Sequence, residues 1–198
     1  MKLCVLALDY DGTIAINDRP DSSVLAAIAA ARASGVKVLL VTGRILTELR
    51  RVAGDLRFVD AVVAENGAVV YFPDSGHRTV LAQPASPALI ARLADLGIPF
   101  QAGECLIDAD ANSARAMLDV IHSLELPVVL LFNRTRVMAL AQGVSKATGL
   151  TGVFGDHALA QELQRHERRY VATKNQSVLK DIVAAIRSRY DLAGEPIA

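Results

Sequence analysis

The sequence predicts an α/β protein with a Rossmann-like parallel sheet core and a small α/β cap inserted in it. Two observations carry the core. Short apolar runs of strand length alternate with stretches of helical length over the first seventy residues, and polar, chemically capable residues fall just past the ends of the runs. Strand, helix, strand, helix, strand in this rhythm argues for a parallel sheet joined by right-handed crossovers. In such sheets ligands bind beyond the carboxyl ends of the strands. A third observation, a second α/β rhythm from Pro84 onward, carries the cap.

Taken in order, Leu3 to Leu8 is an apolar run suited to a strand buried on both faces. Asp21 to Ser34 reads as a helix, with Asp21 or Ser22 as N-cap and Gly35 as its stop. Val36 to Val41 is a second strand, closed by Thr42-Gly43-Arg44. Ile45 to Ala53 is helical and ends at Gly54. Ala61 to Ala64 is a third strand, followed by Glu65-Asn66-Gly67 and a hairpin-like continuation over Ala68 to Phe72. In the second unit, Pro87 to Leu96 and Ser113 to Leu124 read as helices. Ile98 to Ile107 is extended but interrupted at Gly103, and Val128 to Phe132 pairs with Arg136 to Leu140 around an Asn133-Arg134 turn. Gln142 to Lys146 returns the chain to the core. The predicted limits are therefore 1–83 for the first part of the core, 84–141 for the cap and 142–198 for a shortened second part. In the tail, His157 to Arg169 has helical periodicity and Val178 to Tyr190 is an amphipathic helix.

Of the 198 residues, 52% are hydrophobic and 21% charged, a globular rather than a disordered composition. Aromatics make up only 5% and Trp is absent, so Val, Ala and Leu must build the core. Lys plus Arg equals Asp plus Glu at 21 each, so no overall field favours nucleic acid or an anionic membrane. Cys4 and Cys105 lie in apolar runs and read as buried thiols, in keeping with a reducing compartment. The N-terminal run is too short for a signal peptide, and no stretch approaches the ~20 apolar residues of a membrane span. A cytoplasmic location is expected. Nothing in the sequence sets the oligomeric state.

The chemistry gathers at Asp9-Tyr10-Asp11-Gly12-Thr13. Two carboxylates two residues apart, at the end of a buried strand, share a pocket if the chain turns there, and Gly12 supplies the turn. One can attack while the other moves protons. The same pair suits a hard cation with oxygen ligands and retained waters, which means Mg²⁺. Thr42 either caps the following helix or holds a phosphate at the helix N-terminus, and both can be true. Arg44 is expected on a phosphate-bearing substrate or on a neighbouring carboxylate.

These segments resemble the haloacid dehalogenase-like phosphatases, specifically the Cof-like branch with an α/β cap inserted after the third core strand. LDYDGT resembles that superfamily's first motif, LVTGR its second, and AENGA followed by VVY this branch's third-strand loop. FNRTRVMALAQGVSKATGL is similar to the stretch where the cap returns and the motif lysine appears. The resemblance implies that Asp9 takes the phosphoryl group as a phosphoaspartate, and that Asp11 protonates the leaving oxygen and later activates water. It implies that Thr42 binds a phosphate oxygen through its hydroxyl and backbone N–H, with Gly43 and Arg44 beside it. Lys146 would neutralise charge. Asp9, the Asp11 backbone carbonyl and Asp156 would hold Mg²⁺.

The family's last motif is an acidic loop that follows a helix and a strand after the motif lysine. Gly155-Asp156-His157 lies only ten positions beyond Lys146, so that helix and strand are expected to be deleted or replaced. An alternative takes Lys174, in KNQSVLKDIVAAI, as the motif lysine. The expected function is Mg²⁺-dependent hydrolysis of a small-metabolite phosphate monoester. The alternative is a phosphate-ligand-binding protein of the same fold with impaired turnover.

Overall fold

In the computed structural model, β1 (Val5–Asp9) is the strand on which the site is built, and its first four residues are buried. Residues 5–16, 18–155 and 170–173 are described. After β1 the chain turns through Gly12, whose φ of 73° is left-handed, into a two-strand ribbon of β2 (Ala15–Ile16) and β3 (Arg19–Pro20). Helix α1 (Ser22–Ala33) follows. Asp21 is its cap, accepting from the Ser23 and Val24 N–H groups at 2.8 and 3.3 Å.

β4 (Lys37–Val41), α2 (Leu46–Ala53) and β5 (Ala61–Ala64) complete the expected alternation. A single 3₁₀ turn over Glu65–Gly67 then reverses the chain into β6 (Val69–Phe72), which pairs antiparallel with β5. β7 (His77–Val80) extends the sheet by one more antiparallel strand. The sequence did not signal β7: three of its four residues are exposed, so it lacks the apolar alternation of a half-buried strand.

The second unit is a separate four-stranded antiparallel sheet with two helices. α3 (Pro87–Asp95) precedes β8 (Phe100–Ala102) and β9 (Ile107–Asp110), and α4 (Ala114–Ser123) precedes β10 (Val128–Asn133) and β11 (Arg136–Ala141). The strand order is β10-β11-β9-β8. Leu89 and Leu93 of α3 pack with Met117, Val120 and Ile121 of α4 over Ile107, Ala109, Val137 and Ala139. The opposite face, carrying Leu106 and Met138, meets the core at Ile45.

α5 (Lys146–Gly155) brings the chain back, and β12 (Tyr170–Thr173) pairs parallel with β1 on the side away from β4. The main sheet therefore runs β12-β1-β4-β5-β6-β7. This corrects the expectation that a helix and a strand are missing after Lys146. The helix was illegible because Gly149, Gly152 and Gly155 all fall within it, and glycine is a poor helix former. Packing explains it instead. A Cβ on Gly67 would lie 1.9 Å from the Ser145 carbonyl, and one on Gly149 would lie 2.5 Å from the Gly67 Cα. Only two glycines let α5 seat its first turn against the loop after β5. Cys4, Asp156, His157, Lys174 and the predicted Val178 to Tyr190 helix lie outside the described residues. Among the described residues no helix is long and apolar enough to cross a membrane.

Candidate active site

Asp9 ends β1, Thr42-Gly43-Arg44 follow β4, and Lys146 opens α5, so the topology collects them at the carboxyl edge of the parallel strands. Lys146 Nζ donates to Asp9 Oδ1 at 2.6 Å, a charge-assisted bond spanning 137 residues of chain. Both side chains are partly buried, at 29% and 17% exposure. No donor among the described residues takes the other oxygen, Asp9 Oδ2.

Asp11 sits beside it in a different state. Arg44 holds its carboxylate as a fork, with Nε at 3.1 and 3.0 Å from the two oxygens and Nη2 at 2.6 Å from Oδ1. The same guanidinium bonds Asp18 and reaches Glu48 Oε1 at 3.3 Å. It also lies over the Tyr10 ring, 5.4 Å from the centroid. The hydrogen bond to Asp11 raises the Arg44 pKa further above its ordinary value, so Arg44 stays cationic at any working pH. Burial raises the Tyr10 phenol, against the opposing effect of Arg44, and its hydroxyl donates to the Asp18 carbonyl at 2.9 Å. Of the two partners expected for Arg44, neighbouring carboxylates are the ones observed.

Thr42 is fully buried. Its backbone N–H, expected on phosphate, donates instead to the Val63 carbonyl at 2.8 Å, because β4 carries its pairing with β5 one residue further. Its hydroxyl oxygen accepts the Arg44 N–H at 3.1 Å, which leaves the hydroxyl hydrogen as its remaining donor. Gly43 faces the second sheet: a Cβ there would stand 3.6 Å from the Met138 sulfur. The Thr13 hydroxyl is buried with no partner among the described residues.

A hard cation would find two oxygens here. Asp11 bridges to Ala15 in a parallel register, where the bonds are made by its neighbours. The Ala15 N–H donates to the Tyr10 carbonyl at 2.9 Å, and the Gly12 N–H donates to the Ala15 carbonyl at 3.1 Å. The Asp11 carbonyl is thus left for another partner, alongside Asp9 Oδ2. That set fits Mg²⁺, which binds through one or two carboxylates and keeps several waters. The third expected ligand, Asp156, lies outside the described residues. Among those described, no group of three or more His, Cys, Asp or Glu side chains forms a metal cluster.

A haloacid dehalogenase-like hydrolase family model matches residues 6–114, more than half of the chain. The chain belongs to the haloacid dehalogenase-like hydrolases. YxeH of Bacillus subtilis (strain 168), whose name carries a phosphatase assignment, is 39% identical over 71 residues. That match covers 33% of this chain and 26% of YxeH, so the chain aligns with about a quarter of that relative. A HAD/COF-like hydrolase from Plasmodium vivax superposes with a TM-score of 0.62 at 15% identity, over 77% of this chain and 73% of that one. The HAD subclass IIB sugar phosphatase BT4131 superposes with a TM-score of 0.58 at 17% identity, over 90% of each chain. At these identities the two likenesses speak for the fold.

Two residues of the site were not foreseen. Asp18 completes the acidic ring around Arg44. Glu65, only 1% exposed, uses its carboxylate on backbone N–H groups of the second unit. A carboxylate between two apolar runs, AVVA and GAVV, was the available signal: buried there, it has to find donors.

Proposed function

We propose that the chain is a phosphatase that hydrolyses a phosphate monoester of a small metabolite through an aspartyl-phosphate on Asp9, with Mg²⁺. The observation that carries this is the Asp9–Lys146 pair, in which a cation steadies one carboxylate oxygen and leaves the other unspent at the end of a parallel strand. Asp9 attacks phosphorus, the bond from phosphorus to the ester oxygen breaks, and Asp11 gives that oxygen a proton. Asp11 then takes a proton from water, which attacks the phosphoaspartate, releases inorganic phosphate and restores Asp9. Asp11 has to leave the Arg44 fork to do this. Asp18 and Glu48 hold Arg44 in place meanwhile.

The Thr42 hydroxyl, Gly43 and Arg44 are the groups this reading gives to the substrate phosphate. Lys146 balances the spread negative charge of the transferring group. Asp9 and the Asp11 carbonyl are the groups that would hold Mg²⁺; α5 leads the chain about 14 Å away from Lys146 by Gly155, so this reading does not count on Asp156. The cation, when bound, supplies further positive charge at the phosphoryl oxygens. A core of 1–83 and 142–198 with a cap of 84–141 belongs to the same reading, supported by the separate second sheet. Such a cap encloses a small substrate and excludes water. Sugar phosphates are one substrate class in keeping with the likeness to BT4131. A cytoplasmic setting is in keeping with the free, buried thiol of Cys105.

One observation favours a second reading, a phosphate-ligand-binding protein with impaired turnover. β12 flanks β1 as the strand before the family's acidic loop does, yet the sequence running on from it is Lys174-Asn175-Gln176-Ser177, with no carboxylate before Asp181. Phosphate release from p-nitrophenyl phosphate, measured with Mg²⁺, with EDTA and in Asp9→Asn, separates the two. Metal-dependent turnover that disappears in the variant supports the phosphatase. Binding of inorganic phosphate without turnover supports the second reading.

A further inference from the structure

Glu65 is a buried acid that the proposed chemistry does not use. Its carboxylate accepts three consecutive N–H groups from the loop between β8 and β9: Glu104 at 3.1 Å, Cys105 at 2.8 Å and Leu106 at 3.1 Å. Three successive amides turned to one point form an anion-binding nest, here filled by a side chain from the other unit. The seat is tight. A Cβ on Gly103 would lie 2.4 Å from Glu65 Oε1, so that position admits only glycine while the contact is made.

The backbone of Glu65 faces the other way. Its N–H donates to the Arg44 carbonyl at 2.9 Å, and the Asn66 N–H donates to the Thr42 carbonyl at 3.0 Å. Glu65 and Asn66 both adopt left-handed φ, 51° and 58°; asparagine takes this conformation readily, whereas glutamate keeps it only where the surroundings hold it. Next to the nest, Leu106 and Met138 of the second unit close on Ile45, the residue after Arg44.

We infer that Glu65 is a positioning residue that latches the inserted unit to the Thr42–Arg44 loop, so that seating the cap and shaping the phosphate loop are one event. One residue grips both bodies, the loop through its backbone and the cap through its side chain. The inference rests on the phosphatase reading only for its kinetic consequence. The latch itself is read separately, through Cys105, which lies in the nest loop with 2% exposure and donates its S–H to the Ala82 carbonyl at 3.6 Å.

The experiment labels Cys105 with 5,5′-dithiobis(2-nitrobenzoate) in a Cys4→Ser background under native conditions. Glu65→Gln keeps the shape but turns an acceptor into a donor facing N–H groups. It is expected to speed labelling about tenfold or more, at a rate that does not change with low urea, the mark of local rather than global opening. Gly103→Ala, which displaces the same contact from the other side, is expected to do the same. Saturating inorganic phosphate is expected to slow labelling in the parent and not in Glu65→Gln, because coupling between two sites is reciprocal.

In turnover of p-nitrophenyl phosphate, Glu65→Gln is expected to raise KM at least about threefold with kcat changed less than about twofold, since a loosened cap removes binding rather than chemistry. Labelling that is unchanged in both variants, or that follows urea as global unfolding does, overturns the latch. Faster labelling that phosphate never affects overturns its coupling to the loop. Absence of turnover in the parent defeats the phosphatase reading while leaving the labelling result to decide the latch.

Discussion

Asp9 and Glu65 are both carboxylates at the carboxyl ends of strands of one sheet, β1 and β5 with β4 between them, and they are used in opposite ways. Asp9 has one cationic partner, on one oxygen, and its side chain is 17% exposed. Glu65 has three donors on its two oxygens and is 1% exposed. A carboxylate with donors on both oxygens is a structural anchor. One with an oxygen in reserve, beside a fixed cation, is what the proposed reaction needs of its nucleophile. Asp11 stands between them: fully engaged in this structure, but by a side chain that has other partners to fall back on.

The sharpest way to break this comparison is to remove one acid at a time. Asp9→Asn is expected to lower turnover on the order of 10⁴-fold or more, as losing the proposed nucleophile would. It should shift stability by less than about 1 kcal/mol, because its ion pair is partly solvated. Glu65→Gln is expected to reverse the pattern, with activity largely kept and stability lower by about 1–3 kcal/mol for the buried donors left badly paired. Steady-state kinetics beside urea melts give both numbers. Equal effects of the two substitutions on turnover would erase the distinction.

Lys146→Met is next in size. It keeps the apolar stem of the side chain and removes the cation from Asp9 Oδ1. A loss of about a hundredfold in kcat is expected, in the range of losing one preorganised electrostatic partner. Arg44→Lys comes below it. Lysine cannot make the bidentate fork, so Asp11 is freed rather than lost, and a change of about tenfold or less is expected. The rim is also the more solvated part, with Asp11 45% and Asp18 61% exposed. Raising the salt concentration should therefore narrow the gap between Arg44→Lys and the parent, while Lys146→Met keeps its deficit.

How much of this was legible beforehand divides along the same line. The parallel core was readable because β1, β4 and β5 are continuous apolar runs, and Asp9, Asp11, Thr42 and Arg44 could be named because they follow those runs. The meeting of Lys146 with Asp9 followed from the resemblance alone, since nothing local in GVSKATGL points to a residue 137 positions away. β7 was missed because an exposed edge strand has no apolar period. α5 was missed because its helicity comes from the Gly67–Gly149 contact rather than from its own residues. The Thr42 N–H was assigned to phosphate because a ladder bond one residue past a strand end leaves no mark in the sequence. Glu65 was passed over because a buried acid and a turn acid look alike until the donors are seen.

The smallest effect concerns the thiol beside Glu65. Burial, and then the Glu65 charge, push the Cys105 thiol from 9.0 up to about 11. A group whose pKa is higher in the folded protein supports folding fully below its unfolded value and loses that support as pH climbs through the folded one. Between pH 9.0 and about 11 the parent should therefore lose stability, by up to about 2 kcal/mol from this group, as the unfolded thiol ionises first. Cys105→Ala removes that loss. Tyr10, also raised by burial, titrates in both proteins, so the difference between their urea midpoints across this range isolates Cys105. In Glu65→Gln the alkaline loss should shrink without vanishing, because the neighbouring charge has gone and burial remains. An alkaline loss identical to the parent's would mean that the anchoring carboxylate contributes nothing to the thiol, and that its charge is spent entirely on the three amides.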